Sequence, residues 1–316
     1  MTTTSVGTRK PTRRSSDSEG PQRTVRRRGL GDLRVALIFV APALVGFVLF
    51  YLVPTIRGVY LSFTDYSILG NPVWVGVKNY VKIFQDKLFW NAMGVTLEYV
   101  VLNIGFQTVI ALGLGLLMYH VAKSTLIRGV LLLPYLVANV IVALLWFWML
   151  DYQIGIVNQI IQWLGIPRVA FFGNEFWAIP TIAFVNVWRH MGYTALLIFA
   201  GLQAIPGQLY EVANLDGASK WQTFWKITMP LLRPVLLLVM VVTITGSFQI
   251  FDTVAVTTQG GPVNASRVIQ YYIYQRAFSQ QDFGYGSALS VILFIILAIV
   301  AFLQMKFLRG NENDLS

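Results

Sequence analysis

Cysteine is absent from the 316 residues, histidine occurs only twice, and charged side chains make up 12% of the chain. Each shortage excludes something. Without thiols there is no disulfide, no thiolate nucleophile and no Cys-ligated metal. His120 and His190 belong to no H-E-x-x-H pair. No G-x-S-x-G nucleophile turn and no G-x-x-x-x-G-K-[ST] phosphate loop is present. An enzyme active site is therefore unsupported, and the chain binds no ATP through a P-loop. A soluble domain carries about 25% charged residues. A chain at half that level, with 56% apolar residues, cannot cover a globule with polar side chains and needs lipid around it.

The net charge of +10 does not point to nucleic acid, because the cations are clustered at one end. Nine of the 24 Lys and Arg precede the first apolar run: Arg9, Lys10, Arg13, Arg14, Arg23, Arg26, Arg27, Arg28 and Arg34. Residues 1–34 are otherwise Thr, Ser, Pro and Gly with few large apolar side chains, and are expected to be a disordered basic tail. From residue 35 the chain reads as a membrane domain extending to 310. Val35 to Leu52 is nearly uninterrupted apolar sequence, long enough to cross a hydrocarbon core of ~30 Å. Its length and the continuation through Tyr51, Val53, Pro54 and Ile56 favour an uncleaved span over a signal peptide.

Six spans are expected, near 35–56, 93–118, 129–150, 178–204, 233–251 and 285–308. Sixteen Lys and Arg fall in the tail, the 119–128 and 205–233 loops and the C-terminal segment, against seven on the other side. Positive residues concentrate in the cytoplasm, so both termini are expected inside. On the far side, Gly260–Gly261–Pro262 marks a turn. Beyond it, Ile269, Tyr272 and Ile273 recur at helical spacing between Arg267 and Arg276. This stretch reads equally as a short helix lying in the interface and as a plain loop.

The loop between spans four and five is the most informative segment. Pro206 ends the fourth span, Gln208 to Leu215 fits a short helix, and Gly217 supplies a residue free to take positive φ. Ala218 to Ile227 fits a second helix with Trp221, Phe224, Trp225 and Thr228 on one face. Pro230 and Pro234 bracket the start of span five. Such a loop is either an amphipathic turn on the headgroups or a helical knob offered to a cytoplasmic partner.

Glu211–x–Ala213–x3–Gly217–x9–Ile227–x2–Pro230 resembles the EAA loop of permease subunits of binding-protein-dependent ABC importers. Val212 and Met229 stand where that pattern has Ala and Leu. Further stretches resemble the carbohydrate-uptake branch, which includes maltose, lactose and glycerol-phosphate permeases. They are Ala200–Gly201–Leu202–Gln203–x–Ile205–Pro206, Leu215–Asp216–Gly217–Ala218 and Ser247–Phe248–Gln249–x–Phe251–Asp252. The resemblance spans roughly 35–308. It implies an all-α type I ABC importer permease fold in a bacterial or archaeal cell membrane, with no catalysis of its own. It implies as partners a second permease, two ATPase subunits that use ATP and Mg, and an extracytoplasmic solute-binding protein delivering a di- or oligosaccharide or related polyol. The coupling residues it implies are Glu211, Ala213, Asp216, Gly217, Ala218, Trp221, Phe224, Ile227 and Pro230. No cofactor, metal or nucleic acid is expected on this chain.

Polar groups inside spans usually face a cavity, since lipid exposure is costly. Glu98, Asn103, Gln107, Asn186, Arg189, Tyr193, Gln249 and Asp252 are thus candidates for a substrate pathway. Trp146, Trp148 and Trp188 are candidates for sugar stacking. Each also fits helix–helix hydrogen bonding or interfacial anchoring. A secondary transporter or channel would share the spans and the polar residues. That class often shows internal repeats, of which none is evident, and it has no use for the 211–230 pattern.

Overall fold

A computed structural model describes residue 2 and residues 30–68, 70–120 and 125–309. The chain divides into two units, Met1–Pro54 and Thr55–Ser316. The first holds α1 (Leu30–Phe47) and a π-turn at Val48–Leu52, and α2 covers Val53–Ser62. The tail expected over 1–34 is already helical at Leu30; apart from Thr2, the rest of it lies outside the described residues. A helix emerging from an apolar layer extends past it because its backbone groups must stay paired until they meet water.

The second unit is built on two long helices, α4 (Lys87–His120) and α8 (Glu175–Gln203), packed along their length. Asn174 caps α8, its Oδ1 accepting from the N–H groups of Phe176 and Trp177 at 2.9 and 3.3 Å. Short α3 (Lys78–Gln85) precedes α4, and β1 (Thr64–Asp65) pairs antiparallel with β2 (Val73–Trp74). Among the described residues, five helices are long and apolar enough to cross a membrane, and a bent pair supplies a sixth.

That pair falls on the third span expected near 129–150. It is α5 (Thr125–Leu136) and α6 (Asn139–Met149), meeting at 90°. A proline inside a helix removes one backbone donor, and Pro134 lies one turn before the bend. The break between the helices leaves carbonyls of the last turn of α5 open, and Arg189 of α8 takes them up. Its guanidinium donates to Tyr135 O at 3.2 Å and to Val137 O at 3.2 and 3.1 Å. Close packing of α5 on α8 depends on Gly192, where a Cβ would sit 1.8 Å from Leu131 O.

After α8 come α9 (Gly207–Leu215) and α10 (Lys220–Thr223). A π-turn at Phe224–Thr228 joins α10 to α11 (Met229–Phe248) without a break. The helix that holds span five, expected near 233–251, therefore already begins at Lys220. The wider register of the π-turn absorbs the missing N–H of Pro230, so the second loop helix and the span form one rod.

There follow α12 (Asp252–Val256), a loop, α13 (Ile269–Tyr274) and a π-turn at Gln275–Ser279, before α14 (Phe283–Arg309). Residues 266–278 do contain a helix, and its apolar face is turned into the bundle. Ile269, Tyr271, Tyr272 and Ile273 are buried against α4 and α14, because the same apolar spacing that suits a headgroup layer also suits a bundle interior. α7 (Ile156–Trp163) links α6 to α8.

Candidate functional site

The loop between α9 and α11 has a defined geometry. Gly217 takes φ +72°, and the N–H groups of Ala218 and Gly217 donate to Ala213 O and Asn214 O at 2.9 and 3.1 Å. This is a Schellman termination, which satisfies the last carbonyls of α9 and needs a residue without Cβ strain at Gly217. Ser219 and Gln222 then form a capping box that starts α10. The two helices are tied by Tyr210 Oη to Thr228 Oγ1 at 3.2 Å.

Within this hairpin Ala213 is buried, Ala218, Phe224 and Ile227 are half-buried, and Glu211, Asp216, Gly217 and Pro230 are exposed. Leu215 is 87% exposed and Trp221 70%, with Trp225 and Val212 beside them. Trp221, Phe224 and Trp225 pack edge to face or tilted within 6.4 Å. A cleft of about 480 Å³ runs between the helices, lined by Val212, Ala213, Gly217, Thr223 and Ile227. An apolar knob and cleft of this kind, rimmed by Glu211 and Asp216, has the makeup of a docking surface.

Midway along α4 and α8 lies a polar cavity of about 230 Å³. Asn103, Gln107, Asn186 and Tyr193 line it, together with Tyr135, His190, Thr194, Thr243 and Ser247. Asn103 Nδ2 donates to Ser247 Oγ at 2.9 Å and Gln107 Nε2 to Thr194 Oγ1 at 2.8 Å. Asn103 is 2% exposed, yet its Oδ1 has no partner. A buried acceptor left open is costly unless a ligand or water fills it. Tyr135 and Tyr193 stack with centroids 4.5 Å apart and planes at 12° on the wall.

These observations meet a matching family. The model of the binding-protein-dependent transport system inner membrane component matches residues 107–310. The chain belongs to this family. Among its curated relatives, the probable ABC transporter permease protein YurN of Bacillus subtilis is 34% identical, with 89% of this chain and 98% of the relative covered. The sulfoquinovosyl glycerol transport system permease protein SmoG of Agrobacterium fabrum is 32% identical, covering 90% and 93%. The trehalose/maltose transport system permease protein MalF of Thermococcus litoralis is 29% identical, covering 89% and 96%. In fold, the chain matches a crystal structure of a bacterial ABC transporter that imports the acidic polysaccharide alginate. The TM-score is 0.79 at 24% identity, over 90% of this chain and 99% of that one.

Within this permease the remaining pathway candidates lie away from the cavity. Glu98 and Gln249 are exposed. Trp188 packs edge-on against Trp146 at 5.4 Å, and Trp148 is exposed. Arg189 holds the α5–α6 bend, and Asp252 Oδ2 accepts from Asn139 Nδ2 at 3.0 Å. Sequence reasoning missed His190, Tyr135, Thr194, Thr243 and Ser247. A signal existed for two of them: Thr243 and Ser247 stand one helical turn apart on the face that meets Asn103.

It also missed a clasp at the opposite end of α4 from the loop. Asp86 Oδ2 accepts from Tyr272 Oη and from Tyr285 Oη, the latter at 2.7 Å, and pairs with Arg276 at 3.5 Å. Arg276 Nε also donates to Tyr272 Oη at 2.8 Å. Burial opposes ionisation of Asp86, but the bonds from Tyr272, Tyr285 and the Leu88 N–H, with the Arg276 charge, outweigh it. The carboxyl is held below its ordinary value. Burial and the Asp86 bond push the Tyr272 phenol up to about 12. The clasp thus fixes α13 and the start of α14 to the foot of α4.

Proposed function

We propose that this chain is the membrane-spanning subunit of an ATP-driven importer of a sugar delivered by an extracytoplasmic binding protein. It acts with a second permease and two ATPase subunits, and itself holds no nucleotide or metal. The carrying observation is the 207–228 hairpin: a rigid, capped pair of helices with an unpartnered apolar tip, continuous with a span. In this reading the hairpin lies on the cytoplasmic side, with both termini, and sits in a cleft on an ATPase. Glu211 pairs with a cation there, while Trp221, Trp225 and Leu215 supply apolar contact. Closure of the ATPases on ATP moves the hairpin, and the rod of α10, π-turn and α11 carries the motion into the membrane. Coupling is physical because the tip contacts the two ATPase states differently.

The polar cavity is the part of the pathway that this chain contributes. Its amides and hydroxyls match sugar hydroxyls in both donor and acceptor sense, and Asn103 Oδ1 is the open position. Two relatives named for sulfoquinovosyl glycerol and trehalose/maltose transport support a glycan substrate. The test is uptake by the reconstituted four-component complex, with ATP hydrolysis stimulated by the loaded binding protein. Asn103→Leu is expected to abolish uptake while membrane yield stays unchanged. Full uptake by that variant would remove the cavity from the pathway.

A further inference from the structure

A second cavity, of about 430 Å³, lies in series with the first. Tyr135, just before α6, lines the inner cavity, whereas Phe147 and Leu150 at the far end of α6 line the outer one. Likewise Gly246 and Ser247 precede α12 on the inner side, and Thr257 and Thr258 follow it on the outer side. The 11 residues of α6 set the two roughly 16 Å apart at 1.5 Å per residue. Between them stand the Asn139–Asp252 bond and the Trp146–Trp188 pair.

The chemistry of the outer wall is specific. Asp151 Oδ1 accepts from the N–H groups of Gln153 and Ile154 at 2.8 and 2.9 Å. Those bonds hold the carboxyl below its ordinary value. Its Oδ2 has no partner among the described residues, so an ionised acceptor is left open beside the cavity. Ser266 Oγ donates its one hydrogen to Gly261 O, so Thr258 Oγ1, 2.7 Å away, donates to Ser266 Oγ and keeps its lone pairs to accept. Thr257 Oγ1 donates to Thr253 O at 2.6 Å, which leaves its lone pairs to accept. Phe147, Tyr152 and Phe171 provide ring faces of the sort that pack on the C–H face of a pyranose.

Among the described residues, no Lys or Arg lines either cavity. Arg168, the nearest cation in sequence to this wall, turns its guanidinium to Gln162 Oε1 at 3.0 and 2.8 Å and to the carbonyls of Tyr152 and Gln153. Carboxylated or sulfonated sugars call for exposed guanidinium or ammonium groups, and here the only charge presented is negative. We propose that the outer cavity is a subsite that receives an uncharged saccharide on its way to the inner cavity. This rests on the reading of the chain as a sugar importer.

The experiment uses the complete complex in proteoliposomes, with neutral di- and trisaccharides and with trigalacturonate as an acidic probe. Asp151→Asn keeps the Oδ1 turn and removes the charge, and Tyr152→Ala removes a side chain on a residue that is 51% exposed. Sugar delivered per ATP hydrolysed is expected to fall about tenfold in each, as for loss of one bond to a charged group. Stimulation of ATP hydrolysis by the binding protein is expected to stay at the wild-type level, and trigalacturonate to be refused. An unchanged ratio in both variants, with Asn103→Leu inactive, would overturn the subsite and leave the importer reading standing. A parallel loss of stimulation and of binding-protein affinity would make the cavity a docking surface for that protein, which also overturns it. Import of trigalacturonate in preference to the neutral sugars overturns the substrate class. Failure of the wild-type complex to import any saccharide overturns the sugar reading, and the subsite with it.

Discussion

Residues 207–228 and 252–279 each fold as two short helices around a turn, and each ends in a π-turn, yet they place their side chains in opposite ways. In the second, α13 is buried and pinned from several sides. Thr96 Oγ1 accepts from the Ile269 N–H at 2.8 Å, Asn91 donates to Asn264 O at 3.0 Å, and Asp86 gathers Tyr272, Arg276 and Tyr285. In the first, one bond ties the helices together, and Leu215 and Trp221 point outward. The same local motif is thus closed on itself at one end of α4 and open at the other. A closed motif supports the bundle. An open one, stiffened by a Schellman turn and a capping box, keeps its shape while awaiting a partner.

The sharpest way to break this contrast is to unseat the open motif. Gly217→Pro forces φ toward −65°, against the observed +72°. Uptake is expected to fall by about 100-fold, the upper end of coupling free energies, with membrane yield intact. Glu211→Lys reverses the charge at the rim and is expected to act in the same direction. Stimulated ATP hydrolysis in proteoliposomes reads both.

The closed motif is expected to respond in stability instead. Asp86→Ala leaves the partly buried Arg276 without its carboxylate and two phenols without their acceptor, a change expected to cost about 3 kcal/mol from bonds to a charged group. Thermal unfolding of the purified subunit in detergent should show that loss, and Asp86→Asn a smaller one. Next in size is Arg189→Ala, which strands the carbonyls of Tyr135 and Val137 at the bend. A loss of about 2 kcal/mol is expected from bonds to a charged donor, with Arg189→Lys intermediate.

The smallest effect is that of pH. Asp86 has a lowered folded value, so its contribution is complete above the ordinary carboxylate range near 3.8 and is lost as pH falls through the folded value. Unfolding midpoints should therefore be flat at neutral pH and drop only in strong acid. In Asp86→Asn that acid-dependent drop should shrink.

What could be read in the sequence follows the same division. The 211–230 loop was legible because its signals are local: Gly217 stands between two short helical stretches, with Pro206 before them and Pro230 at their end. The spans were legible from apolar length. The bend of the third span was not, because Pro134 alone does not fix where a helix turns. Arg189, 52 residues beyond Val137, decides it by taking the freed carbonyls. The clasp was hidden for a related reason, since Asp86 and Tyr285 are 199 residues apart. Among the pathway candidates, polarity within a span marked Asn103, Asn186 and Tyr193, which line the cavity. It marked Glu98 and Gln249 equally, and these are exposed and apart from that cavity, because composition does not report which side of a helix a residue occupies.

The open motif is tested most directly by protection at its tip. The chain has no cysteine, so Leu215→Cys and Trp221→Cys each introduce a single thiol against no background. Labelling by a membrane-impermeant maleimide is measured in inside-out and right-side-out vesicles, with and without the ATPase subunits. The expected result is rapid labelling in inside-out vesicles alone, lost when the ATPases are bound and altered again by ATP. Equal labelling with and without the ATPases, or labelling only from the outside, would contradict a coupling role for this hairpin.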